Sequence, residues 1–139
     1  MQTPLRPDDA ELIESAKALL AERFDSDRHI VAAALRTAEG KIYTGMSVRA
    51  SIGRMSVCAE VIVLGEALSR GEKAFTTIVA VWYPENKPAL GAAIAPPCGM
   101  CRELLCDYSP GIEVLVSEED RIVREHLATL LPHRCVHPH

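Results

Sequence analysis

Apolar residues fall on one face of the segment from Pro7 to Phe24, where Leu12, Ile13, Ala16, Leu19, Leu20 and Phe24 recur at helical spacing. Pro7, Asp8, Asp9 and Glu11 suit a helix's first turn, so a helix is expected there. His29 to Arg36 is an apolar run of strand length. Glu39-Gly40 reads as a turn and Ile42 to Met46 as a second strand, which makes the pair a hairpin. Ser47 to Ser56 is polar and basic, contains Gly53, and reads as a loop or irregular strand. Val57 to Arg70 returns to helical periodicity through Val57, Val61, Leu64 and Leu68, and Gly71 stops it. Phe75 to Tyr83 is an aliphatic strand. Pro84 to Pro97 holds four prolines and reads as a loop. Cys98 to Tyr108 is expected to be a third helix, Ile112 to Val116 a strand, and Arg121 to Val123 a further short one. Arg124 to Leu131 reads as a short last helix, with a tail from Pro132. The order is one helix, a hairpin, then alternating helices and strands. It predicts an α/β chain with one mixed sheet carrying helices on its faces.

Composition narrows the function classes. At 139 residues the chain is expected to be a single domain spanning 1–139. It is 48% hydrophobic and 24% charged, ordinary for a globular core, and its few aromatics make that core aliphatic. A net charge of -4 opposes a nucleic-acid partner, which would call for a basic, aromatic-bearing groove. No apolar run approaches the ~18 residues of a membrane span. The first eight residues lack the apolar centre of a signal peptide, so a cytoplasmic location is expected. Five cysteines is an odd number, and in a reducing compartment they read as metal-binding or catalytic groups rather than disulfides.

The chemistry concentrates in two stretches, Cys58-Ala59-Glu60 and Pro97-Cys98-Gly99-Met100-Cys101-Arg102. They supply three thiolates and one carboxylate, and three protein ligands are what a catalytic zinc takes when its fourth position is left to water. Cys98 and Cys101 share a helix face. Cys58 and Glu60, two apart, do not share one in mid-helix and converge only where a helix end points at the metal. The pattern therefore requires two helix N-termini meeting over one Zn2+. Their dipoles would favour thiolate over thiol. Three thiolates on a dication leave a net charge of -1, which weakens the Lewis acid, and Arg102 beside Cys101 is the candidate to donate to a ligand sulfur. Two other readings stay open. One is a structural zinc site closed by a fourth ligand from Cys106, Cys135, His133, His137 or His139. The other is a redox Cys-x-x-Cys, which leaves Cys58 and Glu60 unexplained.

Cys-x-Glu followed by Pro-Cys-x-x-Cys is the signature of zinc deaminases, in which the Glu is not a ligand. With Gly40-Lys41-Ile42-Tyr43-Thr44-Gly45 in the expected place, the chain resembles the small three-cysteine cytidine deaminases and blasticidin-S deaminases from its first helix to Leu130-Leu131-Pro132. The resemblance implies a three-layer α/β/α fold with a mixed central sheet of about five strands. It implies a homotetramer or dimer, and a small nucleoside-like substrate. It also implies Zn2+ on Cys58, Cys98 and Cys101, a zinc-activated water attacking the amine-bearing ring carbon, and Glu60 as proton shuttle. Backbone groups near Ala59 and Pro97 would read the ring.

The chain departs from the family pattern where the sugar is read. Cytidine deaminases carry Asn-x-Glu at the end of the second strand; the matching positions are Ser47 and Arg49. A carboxylate that accepts from a hydroxyl cannot be replaced by a guanidinium, which only donates. His29 stands where the family offers a Phe, and Val61 where many members have an Arg. Cys58-Ala59-Glu60-Val61-Ile62-Val63-Leu64-Gly65 and Ser109-Pro110-Gly111-Ile112 lean toward the blasticidin branch. The expected substrate is therefore not plain cytidine. Arg49, with Arg54 and His29, would suit an anionic group. Arg49 and Arg54 facing solvent or a neighbouring subunit is equally open. The loop from Pro84 to Ala95 is a second place where specificity could differ.

Overall fold

The computed structural model describes residues 2–136, so His137 and His139 lie outside the described residues. In chain order the elements are β1 (Gln2–Thr3), α1 (Pro7–Arg23), β2 (Val31–Thr37), β3 (Ile42–Met46), α2 (Ala59–Ser69), β4 (Phe75–Trp82), β5 (Ala93–Ile94), α3 (Gly99–Tyr108), β6 (Glu113–Glu118) and β7 (Arg121–His126). The sheet order is β1-β7-β6-β4-β2-β3. One edge of β4 is taken by β2. The other is shared, with β6 pairing at Thr77 and Ile78 and β5 at Val81 and Trp82. β4 and β6 run parallel and every other pair is antiparallel, so the sheet is mixed.

Strand periodicity divides the core into two layers. Ala32, Ala34, Val79 and Val81 meet Leu12, Ile13, Ala16 and Leu20 of α1 on one face. Ala33, Leu35, Ile78 and Ala80 turn to the other face, against Ala59, Val63, Leu64 and Ala67 of α2 and Leu105 of α3. β2 and β4 are thus buried on both sides, which is why their sequences are continuously apolar rather than alternating. The result is the expected α/β/α sandwich.

Small residues set how closely α2 lies on this platform. A Cβ added to Gly45 would stand 3.0 Å from Ile62 Cγ2 and 3.2 Å from the backbone N of Val63. Glycine at this point of β3 lets the helix backbone pass directly over the strand. The far end of α2 is closed at Gly71, whose φ of 90° is the left-handed value that glycine tolerates. The N–H of Glu72 donates to Ala67 O and that of Gly71 to Leu68 O, each at 3.0 Å, the paired bonds of a Schellman cap.

Two expectations are corrected. Arg124 to Leu131 is not a helix: β7 runs through His126, and only Leu127–Leu130 coils, as a 3-10 turn. Pairing of β7 with β6 on one side and β1 on the other outweighs the local helical spacing of Leu127, Leu130 and Leu131. The turn that creates this hairpin is Glu119-Asp120, with both residues at positive φ (47° and 65°) and no glycine to announce it. The segment from Pro84 to Pro97 is not all loop, because Ala93–Ile94 adds β5 to the sheet. The sheet holds the five expected strands, β7 among them, and gains the two-residue β1 and β5 to make seven.

The register of β7 buries Arg124. Its guanidinium is 2% exposed and donates to both carboxylate oxygens of Asp9 (3.4 and 3.3 Å) and to Glu113 Oε1 at 2.6 Å. Asp9 also accepts the Arg6 N–H at 2.8 Å at the start of α1. One side chain thereby joins the first turn of α1 to β6 and β7. Replacing Arg124 by Met leaves two carboxylates beside an apolar group, and breaking a buried pair on one side typically costs about 3 kcal/mol or more. Urea denaturation of Arg124→Met should show a loss of that order; an unchanged midpoint would contradict the account of this cluster.

Candidate active site

The two helix starts demanded by the sequence meet. Cys58 is the N-cap of α2 and Cys98 the N-cap of α3, while Cys101 lies one turn into α3. Their sulfur atoms lie within 4.8 Å of one another. Cys58 Sγ and Cys98 Sγ are 3.7 Å apart, Cys98 Sγ and Cys101 Sγ 3.4 Å, and the Cys101 N–H points at Cys98 Sγ at 3.4 Å. Two thiolates on one tetrahedral zinc, each at about 2.3 Å, stand about 3.8 Å apart. The triad therefore fits Zn2+. No fourth Cys, His or carboxylate joins it among the described residues, so the set has the count of an open site rather than a closed structural one.

A cation among the sulfurs would offset what burial does to them. Burial pushes the thiols of Cys58 and Cys101 up, and for Cys101 the nearby Glu60 carboxylate adds to the effect. Cys98 differs. Its burial also acts upward, but the backbone N–H of Cys101, the thiols of Cys101 and Cys58 and the Met100 N–H together hold it below the usual thiol range. One thiolate is favoured by the fold alone, and a metal dication supplies the charge for the other two.

A cavity of about 350 Å³ opens beside the sulfur atoms. Its wall includes Cys58, Ala59, Glu60 and Cys98, the aliphatic Ile30, Val31 and Val57, and Ser47, Arg49 and Trp82. Glu60 sits in the first turn of α2 and is 6% exposed. Burial raises its carboxyl above the usual range, partly offset by a backbone hydrogen bond. A carboxyl so shifted gains and loses a proton closer to neutrality, as a group that must act as base and then acid requires.

The family model for the cytidine and deoxycytidylate deaminase zinc-binding region matches residues 6–117. The chain belongs to this family of deaminases. It is 40% identical over 125 residues to a blasticidin-S deaminase from Bacillus cereus, covering 89% of each chain. It is 31% identical over 102 residues to a probable cytidine deaminase from Dictyostelium discoideum, covering 73% of this chain and 65% of that one. Among solved structures, a cytidine deaminase from Burkholderia pseudomallei aligns with a TM-score of 0.73 at 28% identity, covering 89% of this chain and 96% of that one. One from Bacillus anthracis aligns with a TM-score of 0.78 at 24% identity, covering 91% and 88%. The deaminase is an enzyme with zinc as its cofactor, and the Cys58, Cys98 and Cys101 cluster supports that metal.

Other residues singled out in the deaminase sequence fall in different places. Ser47 lines the cavity and is 6% exposed; its Oγ accepts the N–H groups of Ile30 and Val31 at 3.2 and 3.0 Å. Arg49 is exposed at the cavity edge, with one long contact of 3.5 Å to Ser26 O, and its carbonyl accepts from Arg28 Nη1 at 3.3 Å. Arg54 is exposed and is not part of the cavity lining. His29 is outside the lining, and its Nδ1 lies 2.8 Å from Ser47 O, so Nδ1 carries the proton in that bond. Pro97 is buried, and the neighbouring Pro96 lines the cavity in its place. Arg102 Nε donates to Pro97 O at 2.9 Å and Nη1 to Leu130 O at 3.1 Å, which ties the thiolate-bearing turn to the end of the chain. Trp82 and Ile30 were not foreseen. The available signal was position, since ligands of open α/β sheets gather beyond strand ends.

The raised carboxyl of Glu60 has a consequence for the zinc-free deaminase. A buried group whose folded pKa exceeds its unfolded value costs stability once pH rises through the interval between them. Zinc-free Glu60→Gln should match the parent in strong acid, where the carboxyl is protonated in both states, and become the more stable protein as pH approaches neutrality. Thermal unfolding of the pair across that range checks the sign; a parent more stable than the variant at neutral pH would contradict it.

Proposed function

We propose that this deaminase hydrolyses the exocyclic amine of a cytosine-type nucleoside, giving the corresponding carbonyl product and ammonia, and that its substrate is not plain cytidine. The observation that carries the reaction is a buried Glu60 lining one cavity with Cys58 and Cys98, whose sulfurs lie within 4.8 Å of Cys101 Sγ. A zinc ion on Cys58, Cys98 and Cys101 supplies Lewis acidity that makes water a nucleophile near neutral pH. Glu60 takes the proton from that water and delivers it to the ring nitrogen as the oxygen bonds to the amine-bearing carbon. It then carries the remaining proton of the added hydroxyl to the amine, the C–N bond breaks as the C=O bond forms, and one water is consumed for each ammonia released. Backbone groups around Ala59 and Pro97 orient the ring, and Arg102 holds Pro97 O in position.

Substrate choice rests on the residues at the cavity's other end. Arg49 lines the cavity, and among the described residues its guanidinium has one long contact, to Ser26 O at 3.5 Å. A guanidinium at the rim favours a carboxylate or phosphate over a ribose hydroxyl that a carboxylate would read. A specific observation favours a second reading of the same chemistry: the 40% identity to a blasticidin-S deaminase supports an aminoacyl-nucleoside antibiotic as substrate. The enzyme works as a homotetramer or dimer. Ile52, Met55, Leu90 and Met100, exposed in segments next to the cavity, are apolar surface that a second copy would cover. Unoxidised thiol ligands suit a reducing, cytoplasmic compartment.

Ammonia release by the zinc-loaded protein, measured with cytidine, cytidine 5′-monophosphate and blasticidin S, tests this reading. Cytidine 5′-monophosphate and blasticidin S, which each carry an acidic group that cytidine lacks, should be turned over faster than cytidine at low concentration. Glu60→Gln should retain its zinc and lose at least about 10²-fold in rate, the scale of general acid–base catalysis. Arg49→Glu should narrow the gap between the two acidic compounds and cytidine. Cytidine turnover matching that of the two acidic compounds, or activity surviving in Glu60→Gln, would overturn it.

A further inference from the structure

Trp82 is the chain's single tryptophan, and nothing in the metal chemistry uses it. It is 42% exposed and forms part of the wall of the cavity that holds Glu60 and the thiolates. Its backbone is fixed from both sides, opposite Val31 of β2 and Ala93 of β5. An indole carried on a strand paired at both edges is a rigid surface rather than a loop side chain. The fold gains little from leaving so large an apolar ring half in water, since every other residue of β4 from Thr77 to Val81 is buried.

The neighbour across Val31 completes the picture. The Val31 N–H donates to Ser47 Oγ at 3.0 Å and the Ile30 N–H at 3.2 Å, which occupies both lone pairs of that hydroxyl. Its O–H is left to donate, and no acceptor for it stands among the described residues. Val31 therefore has a flat apolar ring on one side and a donor-only hydroxyl on the other, all facing one cavity.

We infer that Trp82 is a substrate-contacting specificity residue: the group attached to the reacting heterocycle lies against the indole, beside the Ser47 hydroxyl at the position where the family reads the sugar. This rests on the proposed deaminase reaction and adds to it the wall that holds the non-reacting half of the substrate. Ring faces stack on indole without needing hydrogen bonds.

The test uses zinc-loaded Glu60→Gln titrated with cytidine, cytidine 5′-monophosphate and blasticidin S, following tryptophan emission and, separately, heat. Any of these that binds by calorimetry should change the emission saturably with the same midpoint, because the signal has one source. In the otherwise unaltered enzyme, Trp82→Ala should raise KM about tenfold with kcat nearly constant, and Trp82→Phe should recover most of the loss. Binding with unchanged emission and an unchanged KM in Trp82→Ala would overturn the inference while leaving the reaction intact. Failure of all three compounds to bind would overturn the functional reading and the inference with it.

Discussion

Three thiol groups within 4.8 Å of one another, two of them pushed toward the protonated form by burial, are not a stable set of anions without a cation among them. Everything else about the site is arranged around that constraint. Cys58 and Cys98 occupy N-cap positions, where the exposed N–H groups of a helix favour negative charge, and only Cys98 receives enough of them to titrate low. The dication that balances the thiolates is also what would activate water beside Glu60. Structure and reactivity therefore share one electrostatic origin.

The sheet makes the convergence possible. α2 and α3 lie on the same face, packed on Ala33, Leu35, Ile78 and Ala80, and the glycine at position 45 lets α2 settle onto β3 without a side chain between. At the other face α1 is tied to β6 and β7 by the buried guanidinium of Arg124. A β7 shifted by one residue would turn Arg124 away from Asp9, so this charge cluster specifies register as well as contributing energy. The end of β4 then presents Trp82 to the cavity that the two helix starts enclose.

Much of this was legible in the chain. The Cys-x-Glu and Pro-Cys-x-x-Cys stretches carried the site because metal chemistry fixes residue type and spacing together. α1 and the β2–β3 hairpin followed from periodicity. What was not legible depended on partners distant in sequence. Leu127, Leu130 and Leu131 have helical spacing, yet β6 and β1 claimed the backbone before them. The Glu119-Asp120 turn uses positive φ without glycine, and only the Arg121 to Val123 start of β7 was legible, not its run to His126. Ala93–Ile94 lies among prolines and glycine and becomes a strand only because β4 has a free edge there. Arg54 looked as available as Arg49, and only folding put Arg49 in the cavity wall and left Arg54 out of it.

The central claim is that three sulfurs bind one zinc and leave its remaining position to solvent or substrate. X-ray absorption at the zinc edge of the metal-loaded protein measures this directly. The account predicts one zinc per chain with three sulfur neighbours at about 2.3 Å and one lighter oxygen or nitrogen neighbour. A shell of four sulfur atoms, with Cys106 or Cys135 completing it, would mean a closed structural site and would contradict the account.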